Sequence, residues 1–163
     1  MNQAVSILVL GLGNLCRGDD GAGRVVAQRL RELALPEVEV REESGEGTAL
    51  MEAWKNAGTV FLIDAALSGA APGTIHRLDA NEMPVPSRFF HYSTHAFSVA
   101  EAVELARALG RLPPRLILYG LEGQDFSAGE KLSPEIDVAA DELVRRVRME
   151  CAALQYGAAS APN

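Results

Sequence analysis

The sequence is short of cysteine, of aromatic side chains and of positive charge, and each shortage removes a class of protein. Its two cysteines, Cys16 and Cys151, stand far apart and form no CxxC pair. Neither a disulfide framework nor a cysteine zinc site follows from them. Aromatics make up 6% of the 163 residues, so Leu, Val, Ile and Ala must build the core. Fifteen basic against 22 acidic residues leave a net charge of −7. That excludes the basic footprint that nucleic acid demands, and attraction to an anionic membrane with it. It suits a partner of opposite charge. The apolar stretch near the N-terminus is far shorter than the roughly 20 residues of a bilayer span. No basic segment of the signal-peptide kind precedes it. The expected location is the cytoplasm.

What is present is an alternation of apolar runs and helical patterns. Residues 5–11 (VSILVLG), 59–64 (TVFLID) and 115–121 (RLILYGL) read as buried parallel strands. Residues 37–42 and 73–79 alternate like half-buried ones. Helical spacing succeeds the first glycine-rich turn, with Asp19 or Asp20 as a possible cap. It recurs over 48–57, with Thr48 as the cap, over 97–109, and from Ser133-Pro134-Glu135 onward. In the last helix Cys151 falls in the apolar stripe, and Asp141–Arg145 and Glu142–Arg146 are spaced as i,i+4 pairs. The order βαβαββαβα predicts one α/β domain over 1–156, with a disordered tail over 157–163. Its core is an open, twisted, mostly parallel sheet of about five strands with helices on both faces. A loop over 80–95 is long enough to suggest function.

In such a sheet ligands bind beyond the carboxyl ends of the strands, and several polar residues are candidates for that edge. Gly11-Leu12-Gly13-Asn14 comes directly after the first strand, but the dinucleotide fingerprint needs a third glycine where Cys16 stands. The acids behind it oppose a pyrophosphate, so the glycines read as a turn that aims the acidic segment behind them. Asp19-Asp20 stand at a helix start, as a cap or as a functional pair. Asp64 closes a buried strand, as a turn residue or as a ligand or general base. His91 and His95 lie in HYSTHAF before the third helix, whereas His76 sits inside a strand pattern and reads as surface or packing. Carboxylate oxygen with imidazole nitrogen suits a divalent ion such as nickel or zinc. No GxSxG or HExxH motif is present. Cys16 as a thiolate nucleophile is the alternative chemistry.

Taken in order, GLGNLCRGDDGAG (11–23), GEGTALMEAW (45–54), FLIDA (61–65), STHAF (93–97), LYGLEG (118–123) and KLSPEI (131–136) resemble the [NiFe]-hydrogenase maturation endopeptidase family across nearly the whole chain. The resemblance implies an α/β fold and an endopeptidase acting on the large-subunit precursor after nickel insertion. Such an enzyme removes a short C-terminal extension. It also implies that Asp20, Asp64 and His95 are the catalytic and metal-contacting residues, with Asp19 and His91 as alternatives to Asp20 and His95. Some relatives carry Glu at the first position, so Asp20 reaches one methylene less. The nickel would be supplied by the substrate, with no permanent cofactor. Gly11, Gly13, Gly45 and Gly47 would keep the rim low for a peptide. A non-catalytic, nickel-sensing chaperone of the same precursor fits the same three residues.

Overall fold

The computed structural model describes residues 6–87, 89–90 and 97–160. The element order is β1 (Ile7–Leu12), a 3-10 turn (Gly18–Gly21), α1 (Ala22–Glu32), β2 (Val38–Glu43), α2 (Gly47–Ala53), β3 (Thr59–Ala66), β4 (Ile75–Asp79), α3 (Val99–Ala108), β5 (Arg115–Glu122) and α4 (Pro134–Ala159). The five strands form one sheet in the order β2-β1-β3-β5-β4. All neighbours are parallel except β4, which runs antiparallel to β5. Fold class and element order therefore match the sequence expectation.

Strand alternation divides the core. Ile7, Val9, Phe61, Ile63, Ile117 and Tyr119 face α1 and α4, where they meet Val26, Leu30, Ile136, Leu143 and Val147. Leu8, Leu10, Val60, Leu62, Leu116 and Leu118 face α2 and α3, where they meet Leu50, Trp54 and Val103. Both faces of β1, β3 and β5 are covered, which is why these strands read as unbroken apolar runs. Cys151 is buried in the α4 seam as expected, and burial pushes its thiol up to about 11. No helix among the described residues is long and apolar enough to cross a membrane.

Several local expectations need correction. Glu46, not Thr48, caps α2: its carboxylate accepts from the N–H groups of Thr48 and Ala49 at 3.1 and 3.0 Å. An acid at that position also meets the positive end of the helix. The same helix ends at Ala53 rather than at 57. Neither Asp19 nor Asp20 caps α1, whose N-cap is Gly21 with no side-chain bond. Ser133 starts α4, but its hydroxyl is used elsewhere. Asp141 pairs with Arg29 of α1 at 2.8 Å instead of with Arg145. Arg145 and Arg146 both go to Glu142. α4 runs through Ala159, into the segment expected to be a tail, because GAA continues an uninterrupted helix.

Candidate functional site

The sheet's connections leave β1 in opposite directions. β1 leads through α1 to β2 at one edge, and β2 leads back past β1 through α2 to β3. The carboxyl ends of β1 and β3 therefore flank the switch-point crevice where open α/β sheets bind ligands. The hydrogen-bonded ladder makes this opening concrete. β1 pairs with β3 only as far as Gly11–Ile63, while β3 stays paired to β5 through Ala66–Glu122. Asp64 is the first residue of β3 beyond that fork. The strand does not stop at Asp64 as the sequence suggested, but continues through Ala65 and Ala66.

The glycines shape the crevice mainly by admitting the protein's own atoms. A Cβ on Gly11 would stand 2.4 Å from Ala27 Cβ and 2.4 Å from the Gly23 carbonyl oxygen. One on Gly23 would stand 2.2 Å from the Ile63 carbonyl oxygen and 2.6 Å from that of Leu12. α1 thus enters directly against the ends of β1 and β3. Gly47 likewise leaves room for the ring of Phe97, whose carbonyl accepts from the Gly47 N–H at 3.0 Å. The expected low rim for a peptide is therefore not what Gly11 and Gly47 provide.

Gly13 has φ +118°, a conformation that disfavours any side chain. A Cβ there would lie 1.9 Å from the Asp20 carbonyl oxygen and 3.6 Å from Asp64 Oδ1. Gly13 thus packs on the backbone of Asp20 and beside the carboxylate of Asp64, and the charge of Asp20 is felt at Asp64, so both residues border one crevice. Asp20 Oδ2 accepts from the Asn14 N–H at 3.0 Å, and Asp64 Oδ1 from the Ala65 N–H at 2.8 Å. Burial holds the Asp64 carboxyl well above the usual carboxylate range, and the charge of Asp20 pushes the same way. The Ala65 hydrogen bond opposes this and is outweighed. Like charges at one site disfavour each other, and a cation held by both carboxylates would relieve that repulsion.

Asp19 does not compete for this role. It is fully buried, and its carboxylate accepts from the N–H groups of Gln124, Asp125 and Ser133 and from the Ser133 hydroxyl. His95 and His91 lie outside the described residues. Among the described residues no three His, Cys, Asp or Glu side chains gather as a metal-holding group. The chain on either side of the histidine segment is anchored at the sheet's carboxyl edge. Phe90 bridges to Ala66 on β3, and Phe97 packs on Gly47 at the start of α2. Cys16 is exposed beside the crevice, its N–H bonded to Asn14 Oδ1 at 2.9 Å.

Glu122 is a residue that sequence reasoning missed. It ends β5 as Asp64 nearly ends β3, and it is 1% exposed. It accepts from the Ser68 N–H and hydroxyl, the Gly69 N–H and His76 Nε2, at 2.8 to 3.1 Å. Burial alone would raise its carboxyl, but these donors outweigh that and hold it below the ordinary glutamate range. His76 is thus a packing residue of β4, its ring edge-on to Phe89 at 5.2 Å. The signal for Glu122 was an acid closing a buried apolar run, the same signal that marked Asp64.

The comparisons with known proteins agree with this fold. The model of the HycI hydrogenase maturation protease family matches residues 24–150, more than half of the chain. The chain belongs to the hydrogenase maturation protease family. It is 29% identical over 145 residues to the hydrogenase 2 maturation protease of Escherichia coli, covering 86% of this chain and 87% of that protein. To the hydrogenase expression/formation protein HupD of Thiocapsa roseopersicina it is 29% identical over 156 residues, covering 89% and 71%. The solved structure of the hydrogenase maturating endopeptidase HybD from Escherichia coli superposes with a TM-score of 0.76 at 26% identity, over 93% of both chains. The family member described here is accordingly a peptide hydrolase.

Proposed function

We propose that this protease removes the C-terminal extension of a [NiFe]-hydrogenase large-subunit precursor, and that it does so in the cytoplasm. In this reading Asp20, Asp64 and His95 contact the nickel that the precursor already carries, and the enzyme keeps no metal of its own. The observation that carries the reading is the placement of Asp20 and Asp64 beside Gly13 at the fork of the β1–β3 ladder. Asp64 is held where its charge is disfavoured. A dication entering the crevice relieves that penalty and the repulsion from Asp20 together. The resting site therefore favours a metal-bearing partner over an empty one.

The chemistry follows from the charge. A metal ion at the scissile peptide polarises its carbonyl or lowers the pKa of a bound water. The water oxygen attacks the carbonyl carbon and the C–N bond breaks. The water's protons pass to the leaving amine and to solvent, which leaves a carboxylate on the mature chain. Asp20 and Asp64 position the ion, and His95 completes the set. Cleavage then depends on nickel loading without a resident cofactor.

The test is mass spectrometry of a large-subunit precursor incubated with the protein, with and without inserted nickel. Loss of a C-terminal peptide from the nickel-loaded form alone is expected. Stable binding without a cut would instead make the protein a nickel-sensing chaperone. Equal cleavage of both forms would remove the metal from the account.

A further inference from the structure

We infer that Asp19 is a positioning residue: its buried carboxylate ties residues 123–133 to the glycine turn and thereby fixes Asp20 in the crevice. The inference rests on the proposed role of Asp20 only for its kinetic consequence. The geometry stands without that role.

Asp19 is a fully buried carboxylate. Among the described residues its carboxylate is met by four donors, all from the segment after β5. Oδ2 accepts from the N–H groups of Gln124 and Asp125, at 2.9 and 2.8 Å, and from the Ser133 hydroxyl at 2.8 Å. Oδ1 accepts from the Ser133 N–H at 2.7 Å. The backbone repeats the tie. The Asp19 N–H donates to the Asp125 carbonyl and the Gly18 N–H to that of Gly129, both at 2.8 Å, and the Gly129 N–H donates to the Cys16 carbonyl at 2.9 Å. Gly18, with φ +56°, presses so closely on this segment that a Cβ would meet the Asp125 carbonyl oxygen at 2.4 Å. Both ends of the segment are thus gathered onto one side chain, next to the start of α4.

Asp19 and Asp20 are consecutive in a single 3-10 turn, so their side chains leave it in different directions. One points into the 123–133 segment and the other into the crevice, where it receives the Asn14 N–H. Four acceptor contacts on one anion hold the turn at a fixed rotation, and that rotation sets where the Asp20 oxygens lie. An amide in place of the carboxylate cannot reproduce the arrangement. Its NH2 would face the N–H of Ser133, or those of Gln124 and Asp125, donor against donor. The turn then shifts, and Asp20 shifts with it.

The test uses the full chain and reads the Asp20 position directly. Asp19→Asn, Ser133→Ala, Asp20→Ala and Val147→Ala are compared by the NMR resonance of the Asn14 amide, which reports its bond to Asp20. Their kcat and KM on nickel-loaded precursor are measured in parallel. Asp19→Asn is expected to move the Asn14 resonance and to lower kcat at least about tenfold, because small displacements of reacting groups are costly, with KM within about twofold. Ser133→Ala removes one of the four donors, keeps the fold, and is expected to move the resonance in the same direction by less. Val147→Ala, a core change on α4, lowers stability and leaves both readouts near wild type. An unmoved Asn14 amide in Asp19→Asn, or in Ser133→Ala should the first variant not fold, overturns the inference. So does an equal kinetic loss in Val147→Ala. Full activity of Asp20→Ala would sink the proposed metal contact, while the Asn14 resonance still decides the role of Asp19.

Discussion

Replacing Gly23 by alanine puts the architecture of the crevice to a quantitative test. In most helices Gly→Ala is stabilising by up to about 1 kcal/mol, because alanine loses less backbone entropy. Here the new methyl would sit 2.2 Å from the Ile63 carbonyl oxygen and 2.6 Å from that of Leu12. Ordinary contact begins at about 3.4 Å, so α1 must retreat by about 1 Å. Both obstacles are strand backbone held in the parallel ladder, and neither can rotate away. Overpacking of this kind costs roughly 1–3 kcal/mol, at the upper end where backbone is involved. After the helix-propensity gain, a net loss of about 2 kcal/mol remains, or roughly 4–8 °C in Tm for a chain of this size. The retreat also carries the adjoining 3-10 turn and Asp20 away from Asp64. A displacement of about 1 Å at a reacting centre is worth on the order of 100-fold in rate. Gly157→Ala in α4 is the control, since nothing lies within 4 Å of a Cβ there. It is expected to leave Tm unchanged or slightly raised, with full activity. Thermal melting and precursor cleavage measure both variants. A Gly23→Ala protein that melts at or above wild type and cleaves normally would refute the close approach of α1 to the strand ends.

Other consequences concern individual side chains. The Asp64 carboxyl is raised in the fold by burial, so the folded state holds its proton more tightly than the unfolded chain, and stability falls as pH climbs above the ordinary value of 3.8. Asp64→Asn is therefore expected to be more stable than wild type near pH 7, to lose that advantage near pH 3, and to be inactive; denaturant melts at the two pH values check the sign. Glu122 is shifted the other way: its stabilisation is present above the ordinary value of 4.5 and is lost as pH falls through its lower folded value. Glu122→Gln should cost about 1–3 kcal/mol at pH 7 by leaving buried donors poorly matched, with the gap to wild type closing in acid. Cys16→Ser should cleave at a rate close to wild type, since the exposed thiol has no place in the metal-dependent route; loss of activity would move the chemistry to a thiol.

The sheet was legible because β1, β3 and β5 are buried on both faces, and only apolar, largely branched and leucine-rich runs satisfy such positions. Asp64 stood out against that background. The division of labour between Asp19 and Asp20 was not legible. Adjacent identical residues give no sign of which way a 3-10 turn faces, and the partners of Asp19 lie more than 100 positions along the chain. The same distance hid the use of the Ser133 hydroxyl, whose place before a helix-starting proline suggests a cap. Glu122 was missed although it ends its strand as an acid, because its donors come from the β3–β4 connection and from β4. Glycine roles were misjudged for a related reason. A glycine in a sequence shows that a side chain is absent, while the structure shows that helix α1 or Phe97 fills the space.

The central claim is that Asp20 and Asp64 make cleavage conditional on the substrate's nickel, and intact-mass analysis of the precursor tests it most directly. Wild type, Asp20→Ala, Asp64→Ala and His95→Ala are each incubated with nickel-loaded and nickel-free precursor. The account predicts loss of the C-terminal peptide only with wild type and only from the loaded form. Cleavage of both forms by all four proteins would contradict it.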